Sequence, residues 1–296
     1  QILYRDTEDE PFSPVLTTNF KDVVGFLEFT PDNRQVYAAT NIGRDKTVLV
    51  RMDPATCEEL ELLYENERYD VESISYSRRR KKLLSVYCTG HKDPVRHFFD
   101  EEERQLRERI QAHFPNNRLG IADTDKAEEN YLLFVGGDRT RGAYWLYNVE
   151  TDALTHLADL APWLKEEEMN EMLPVCYTTR DGLSIEAYLT LPQGFTLENA
   201  RALPVVVNPH GGPWARDTWG FSSEVQFLAN RGYAVFQMNF RGSTGYGRKF
   251  LEASYRQWGL RMQDDITDGV QWLIGQGIAD PERIAIYGGS YGGYAT

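Results

Sequence analysis

The chain has 296 residues, of which 41% are hydrophobic and 12% aromatic, and its formal net charge is −13. This length and apolar content can fill a sizeable core, so we expect a globular protein of one large or two ordinary domains. The negative charge argues against binding to nucleic acid or to an anionic membrane surface, because their phosphate groups would be repelled.

Cysteine usage and apolar runs bear on where the protein works. Cys57, Cys88 and Cys176 are scattered, and their spacing fits neither a disulfide framework nor a metal site. Such usage favours a reducing compartment, so we predict a cytoplasmic protein without cofactor or metal. No apolar run is long enough for a membrane span, and residues 1–6 lack the pattern of a signal peptide. The first residue is not methionine, from which we expect a cut or processed N-terminus.

A weak repeat of about 47 residues extends from residue 23 to about residue 160, near the period of propeller blades. Each of its three units opens with a short β-prone run, continues through a polar turn into a second run, and ends in an acidic turn. Residues 100–113 interrupt the second unit with a charged stretch in which Leu106 and Ile110 are four apart, which predicts a helical insertion. Tandem immunoglobulin-like sandwiches remain the structural alternative, since short strands with regular turns also describe them.

The composition changes at residues 162–168, an acidic linker, and we place a domain boundary there. Residues 1–165 are predicted to form a partial β-propeller of about three blades. Residues 166–296 alternate strands with helices, which predicts a doubly wound, mostly parallel sheet with ligands at the carboxyl ends of its strands. The predicted elements are a hairpin around 180–182, strands at 204–208, 234–239 and 284–287, and helices at 222–231 and about 262–275.

Residues 288–292 read Gly-Gly-Ser-Tyr-Gly, the G-x-S-x-G pattern of a nucleophile elbow. Such a serine lies on a strained turn between a strand and a helix, where its hydroxyl projects from the sheet and the glycines allow a tight backbone. A β-prone run follows the turn residues Asp280 and Pro281 and leads into this pattern, as the motif requires. We therefore predict an α/β-hydrolase domain with Ser290 as its nucleophile.

A second motif, Asn-Pro-His-Gly-Gly-Pro-Trp at residues 208–214, follows the first buried strand. In α/β-hydrolases this loop and the residue after the nucleophile each supply one backbone N–H to the oxyanion hole, which assigns Gly212 and Tyr291 as donors. Two fixed N–H dipoles stabilise the negative charge that develops on the attacked carbonyl oxygen. On its own the glycine pair also fits an ordinary tight turn. His210 is not assigned as the base, because α/β-hydrolases run serine, acid, histidine in chain order.

Three motifs in order carry a resemblance to a known family: His-Gly-Gly-Pro at 210–213, Asn-Phe-Arg-Gly-Ser-Thr-Gly-Tyr-Gly at 239–247, and Gly-Ser-Tyr-Gly-Gly-Tyr at 289–294. The chain resembles the prolyl oligopeptidase family of serine peptidases, and within it the acylaminoacyl peptidase and dipeptidyl aminopeptidase-like branch. The resemblance is close over residues 172–296 and loose over the repeats. It implies an N-terminal propeller, a C-terminal α/β-hydrolase domain, Ser290 as nucleophile, Gly212 and Tyr291 as oxyanion donors, and Arg241 as a residue that ties loops together.

The sequence departs from the family at both ends. The triad aspartate and histidine would have to follow Thr296, and the propeller begins partway through. We therefore expect a fragment, either an incomplete gene product or a cut chain, with a natural two-chain enzyme as the other version. These 296 residues alone should have almost no peptidase activity, because a serine hydroxyl attacks only when a base takes its proton.

The predicted function is a serine peptidase that releases aminoacyl, acylaminoacyl or dipeptidyl units from oligopeptides through an acyl-enzyme on Ser290. An esterase on the same fold and a non-catalytic propeller scaffold stay open as alternatives. Specificity at the cleaved residue, endo or exo cleavage and homo-oligomer formation are also open. Three aspartates, Asp264, Asp265 and Asp268, lie close together on a predicted helix. We expect them to be solvated or ion-paired, not bound to a metal.

Overall fold

The structure is a computed structural model that describes all 296 residues, Gln1–Thr296. The strands, numbered in chain order, are β1 Ile2–Tyr4, β2 Ser13–Leu16, β3 Val24–Phe29, β4 Val36–Thr40, β5 Val48–Met52, β6 Glu59–Tyr64, β7 Ser73–Ser77, β8 Lys82–Cys88, β9 Val95–Phe98, β10 Arg118–Thr124, β11 Asn130–Gly136, β12 Ala143–Asn148, β13 Ala153–Asp159, β14 Met172–Thr178, β15 Ser184–Thr190, β16 Leu203–Val207, β17 Ala234–Met238 and β18 Ala279–Ile286. The helices are α1 Glu101–Ala112, α2 Ser223–Ala229, α3 Arg248–Glu252, α4 Arg261–Gly275 and α5 Tyr291–Ala295, with a 3₁₀ turn at Glu166–Glu168. None of the helices combines the length and apolarity that a membrane span requires.

The chain divides into two compact units. The first comprises Gln1–Gln105 and Gly245–Glu252, and the second comprises Leu106–Thr244 and Ala253–Thr296. The predicted domain boundary between residues 165 and 166 stays a prediction.

The first unit contains the first two predicted repeats as separate antiparallel sheets. Strands β3-β4-β5-β6 form a four-stranded sheet, and β7-β8-β9 form a three-stranded one. On one face of β4 and β5, Val36 opposes Met52 and Ala38 opposes Val50, all four fully buried or nearly so. Ala39 and Leu49, on the opposite face, are buried in a second cluster. Successive side chains therefore alternate between two covered faces of this sheet.

The second unit contains the third repeat and most of the remaining chain. Strands β10-β11-β12-β13 form a four-stranded antiparallel sheet. The predicted helical insertion is confirmed as α1, whose Ile110 is fully buried against Tyr131 and Leu133, with Leu106 packed beside them. Their four-residue spacing places both apolar side chains on one face of the helix.

A mixed five-stranded sheet in the order β14-β15-β17-β16-β18 completes the second unit. The hairpin β14-β15 joins antiparallel to β17, whereas β17, β16 and β18 run parallel, so the mostly parallel prediction holds for three of the five strands. Every residue of β17 is buried, as its apolar run predicts. Helix α2 packs against β17 and α4 against β14 and β18. The carboxyl ends of the three parallel strands meet at one edge.

The last strand differs from its prediction. It begins at Ala279 rather than near residue 284, and the predicted turn at Asp280 and Pro281 lies inside it as an irregularity between the pairs Leu203–Ala279 and Val205–Ile284. A proline cannot donate to the ladder, so the strand skips these residues before pairing resumes. In the sheet order β18 is an edge strand that pairs with β16 alone.

Candidate active site

A strained turn connects β18 to α5. Ser290 lies between them with φ 56° and ψ −120°, on the side of backbone space that residues with a Cβ rarely adopt, and it is solvent-exposed. The strand, turn and helix that the sequence pattern requires are all present in that order. The role of Ser290 as nucleophile stays a prediction that this geometry supports.

Two glycines of the pattern are required by close backbone packing, and one is not. A Cβ on Gly292 would collide with the carbonyl oxygen of Pro209, and a Cβ on Gly288 would lie 2.6 Å from the carbonyl carbon of Gly292. At Gly289 a Cβ would meet nothing within 4 Å. The outer glycines therefore let the turn pack against itself and against the loop after β16, while the middle position is sterically free.

The loop after β16 lies directly against the serine. A Cβ on Gly211 would be 3.3 Å from Ser290 Cβ and 3.9 Å from Ser290 Oγ, so the backbone of this glycine borders the hydroxyl. Gly212 has φ +126°, and a Cβ there would lie 2.7 Å from the backbone nitrogen of Trp214, so no other residue fits without a shift. The structure thus brings the two predicted motifs together. The sequence predicted Gly212 as a site residue, but it did not reveal that Gly211 is the glycine of this loop that lies against the Ser290 side chain.

The second predicted donor, Tyr291, is the first residue of α5. The first N–H groups of a helix have no partner within it, which leaves the Tyr291 amide available to a ligand. Its ring is buried, 5.6 Å from Phe240 and 5.2 Å from Trp258 between centroids, and burial raises the pKa of its hydroxyl to about 12. The donor roles of Gly212 and Tyr291 stay predictions.

His210 holds the glycine loop in place. Its ring stacks on Phe240 at a centroid distance of 4.3 Å, its Nδ1 lies 2.7 Å from the carbonyl oxygen of Gly211, and its Nε2 lies 2.8 Å from Ser243 Oγ. Burial lowers the pKa of the imidazole to about 4, so the ring is neutral at pH 7 and donates from Nδ1 to Gly211. Both ring nitrogens are thereby engaged away from Ser290, in agreement with the sequence argument that His210 is not the base.

Arg241 ties three segments together, as predicted. Its side chain is 4% exposed and reaches Asp265 on α4 at 2.6 Å and Asp181 in the β14–β15 turn at 2.9 Å. Its backbone N–H also donates to Asp265, at 2.9 Å. The hydrogen bonds from Arg241 hold the pKa of Asp181 well below its usual range. The loop after β17, which carries Ser243, is therefore fixed by charge.

The other two acidic residues of α4 are also paired. Arg180 reaches Asp264 at 2.9 Å and Asp268 at 2.8 Å. The prediction of ion pairs on this helix is confirmed. The partner Asp181 was missed, because the sequence around it indicates a hairpin turn and nothing more.

The arrangement joins an exposed, strained serine to a glycine loop whose neighbouring histidine fixes its position. Such a site can attack an acyl carbon and stabilise the resulting oxyanion, provided that a base removes the serine proton. His210, the histidine of the glycine-loop motif, instead binds Gly211 and Ser243.

This chain is similar in sequence to known proteins. Residues 219–296 match the prolyl oligopeptidase family. Dipeptidyl aminopeptidase BIII from Pseudoxanthomonas mexicana is 33% identical over 98% of this chain and 41% of its own length. Dipeptidyl peptidase family member 6 from Caenorhabditis elegans is 29% identical over 91% of this chain and 39% of its own length. The chain thus spans about two fifths of these relatives.

Solved structures share the fold over almost the whole chain. A prolyl endopeptidase superposes with a TM-score of 0.75 at 17% identity, over 98% of this chain and 42% of its own. A puromycin hydrolase superposes with a TM-score of 0.67 at 22% identity, over 98% of this chain and 44% of its own. At such identities the likeness concerns the fold, and it covers the repeat sheets as well as the mixed sheet.

Proposed function

We propose, on the premise that this chain belongs to the prolyl oligopeptidase family, that the complete protein is a serine peptidase acting on short peptides. The observation that carries the proposal is the exposed Ser290 at φ 56° with the backbone of Gly211 against its side chain. A strained, exposed serine has no purpose in a binding scaffold, and strain of this kind concentrates at functional sites.

In this proposal residues 1–165 are the partial β-propeller, and residues 166–296 are the N-terminal part of an α/β-hydrolase domain. The antiparallel repeat sheets support the first assignment, and the strand order with three parallel strands ending at the serine supports the second. A cytoplasmic location belongs to the same proposal and rests on the cysteine usage.

The reaction would proceed through an acyl-enzyme. Ser290 Oγ attacks the scissile carbonyl carbon, a base takes its proton, and the N–H groups of Gly212 and Tyr291 bind the oxygen that becomes negative. The base gives this proton to the leaving amine as the bond to it breaks. Water, deprotonated by the same base, then hydrolyses the ester and returns a proton to Ser290 Oγ. We propose that the base is supplied by the complete protein and not by His210, whose ring nitrogens hold Gly211 and Ser243.

Oligopeptides are the proposed substrates. The relatives that align along nearly the whole chain are named as dipeptidyl peptidases, which supports release of dipeptides, and shorter matches are named acylamino-acid-releasing enzymes. An esterase would use the same serine and oxyanion loop, so the activity assay includes an ester.

The test is labelling of the complete protein with a fluorophosphonate, with Ser290→Ala as control. We expect one label on Ser290, none in the variant, and a loss of turnover of about 10⁶-fold in the variant. Folded, complete protein without label would contradict the proposal. Turnover of a dipeptidyl arylamide should exceed that of an acetyl ester; the reverse order would indicate an esterase.

A further inference from the structure

The segment that follows the glycine loop is anchored to the end of β17. The backbone N–H of Asp217 donates to Asn239 Oδ1 at 2.7 Å, and Asn239 Nδ2 donates back to the Asp217 carbonyl at 3.0 Å. The N–H of Thr244 donates to the carbonyl of Ala215 at 2.9 Å. Because Gly211 and Gly212 lie a few residues upstream, this anchor helps to set the position of the loop beside Ser290.

An unusual side chain faces this anchor. Gln237 is the only polar residue of β17 and is 7% exposed, in register with Tyr188 of β15. The Gln237 amide hydrogen-bonds to the Asp217 carboxyl, yet Asp217 Oδ2 and Gln237 Oε1 are both buried and lack any hydrogen-bond partner. Two buried acceptors without a donor, on two side chains in contact, are costly in a protein interior.

A proton on Asp217 Oδ2 gives both of these oxygen atoms a hydrogen bond, because Oδ2 becomes a donor to Gln237 Oε1. We propose that Asp217 is protonated in the folded protein and pairs with Gln237 as carboxylic acid with carboxamide, and that it is thereby a positioning residue for the oxyanion loop. Oδ2–H then donates to Gln237 Oε1 while Gln237 Nε2–H donates to Asp217 Oδ1, so that each group gives and receives one hydrogen bond. The positioning role rests on the proposed function, whereas the protonated pair does not.

The charged surroundings of Asp217 do not prevent this pairing. Burial raises the pKa of its carboxyl to about 7, against the smaller lowering effects of the Gln237 amide and the Arg216 cation. From β15, Glu186 and Tyr188 face the same group, and burial raises the pKa of Tyr188 to about 12.

The pH dependence follows from the sign of this shift. The folded carboxyl holds its proton up to about pH 7, whereas the unfolded one loses it near pH 4. The contribution of this carboxyl to stability is therefore fully present below about pH 4 and is lost as the pH rises to about 7. Between these values, the ratio of folded to unfolded protein falls by about tenfold per pH unit. Above that range the ionised carboxylate cannot donate to Gln237, and the loop beside Ser290 loosens.

The decisive variant is Asp217→Asn in the complete protein, because an amide donates to Gln237 Oε1 at every pH. Between about pH 4 and 7 the urea midpoint of the wild type should fall relative to that of D217N, and the gap should stay constant above about pH 7. Turnover of the wild type should fall above about pH 7 by up to about tenfold per pH unit, and D217N should lack this limb. The exposed Asp9→Asn is the matched control and should follow the wild type.

Infrared spectroscopy gives an independent readout: a protonated carboxyl stretch in the wild type at about pH 6 that is absent from D217N. The proposal is overturned if this band is missing, if the urea gap does not change with pH, or if D217N keeps the alkaline limb. Asp217→Ala should be less active than D217N at every pH; equal activity would also overturn it. The infrared and urea measurements do not depend on catalysis. A protein that gives both expected results but has no activity would therefore refute the proposed function and leave the protonated pair standing.

Discussion

Two regions of the second unit fix loops at the same edge of the mixed sheet by opposite means. The turn around Ser290 is held by backbone surfaces that touch where glycines leave no side chain, at Gly288 and Gly292. The junction around Arg241 is held by a buried guanidinium shared between Asp181 and Asp265. The first depends on shape and carries no charge, whereas the second depends on charge. The turn should therefore fail when atoms are added, and the junction when a charge is removed.

The largest expected effect comes from adding one methyl group to the turn. Gly292→Ala places a Cβ into the carbonyl oxygen of Pro209, and neither backbone can move without opening the loop beside Ser290. We expect a destabilisation of about 4 kcal/mol or more, together with loss of fluorophosphonate labelling. Gly289→Ala, which meets open space, is the matched control and should fold and label as the wild type does. Equal stability of the two variants would show that shape does not hold the turn.

The next effect comes from removing the charge at the junction. Arg241→Leu leaves the fully buried Asp265 without its cation and Asp181 with the more distant Arg261 alone. It should cost about 3–5 kcal/mol in the free energy of unfolding. Arg180→Gln, which breaks more exposed pairs with Asp264 and Asp268, should cost about 1 kcal/mol or less. Chemical denaturation of both variants measures the difference. Similar losses would mean that burial does not set the strength of these pairs.

The sequence predicts the first of these regions better than the second, and the reason is range. The glycines of the turn are neighbours in sequence, and a strand before them and a helix after them complete a local pattern. Arg241 and its partner Asp181 are 60 positions apart, so no local pattern pairs them. The repeats and the helix α1 were likewise predictable from period and spacing. The early start of β18 was not, because a strand that skips Asp280 and Pro281 is defined by pairing with β16.

His210 connects the two regions, and removing its side chain should reduce catalysis more than folding. His210→Ala removes the donor to the carbonyl of Gly211. It also removes one of the two partners of the Ser243 hydroxyl, which keeps its hydrogen bond to the Phe240 carbonyl. The glycine loop then loses its direct link to the Ser243 loop. We expect a fall of about 10²- to 10³-fold in kcat, the cost of losing one oxyanion donor, with little change in KM. The exposed His156→Ala serves as control. If kcat of H210A stays within about threefold of the wild type, the loop is held by other contacts.

The smallest expected effect is the loss of the Asp181 carboxylate's contribution to stability at acid pH. The junction, which depends on charge, should respond to acid, whereas the turn, which depends on shape, should not. Hydrogen bonds from Arg241 lower the pKa of Asp181 in the folded protein, so this carboxylate contributes stability above its unfolded pKa of about 4, and the contribution is lost as the pH falls through the folded value. The side chain is 35% exposed, so solvent screening limits the contribution to about 1 kcal/mol. In urea titrations, Asp181→Asn should be less stable than the wild type near pH 6, and the difference should shrink below about pH 4. The loss of stability caused by Gly292→Ala should not change over the same pH range, because no charge holds the turn. If the stability losses of both variants shrink in acid, the turn also depends on the charges of the junction.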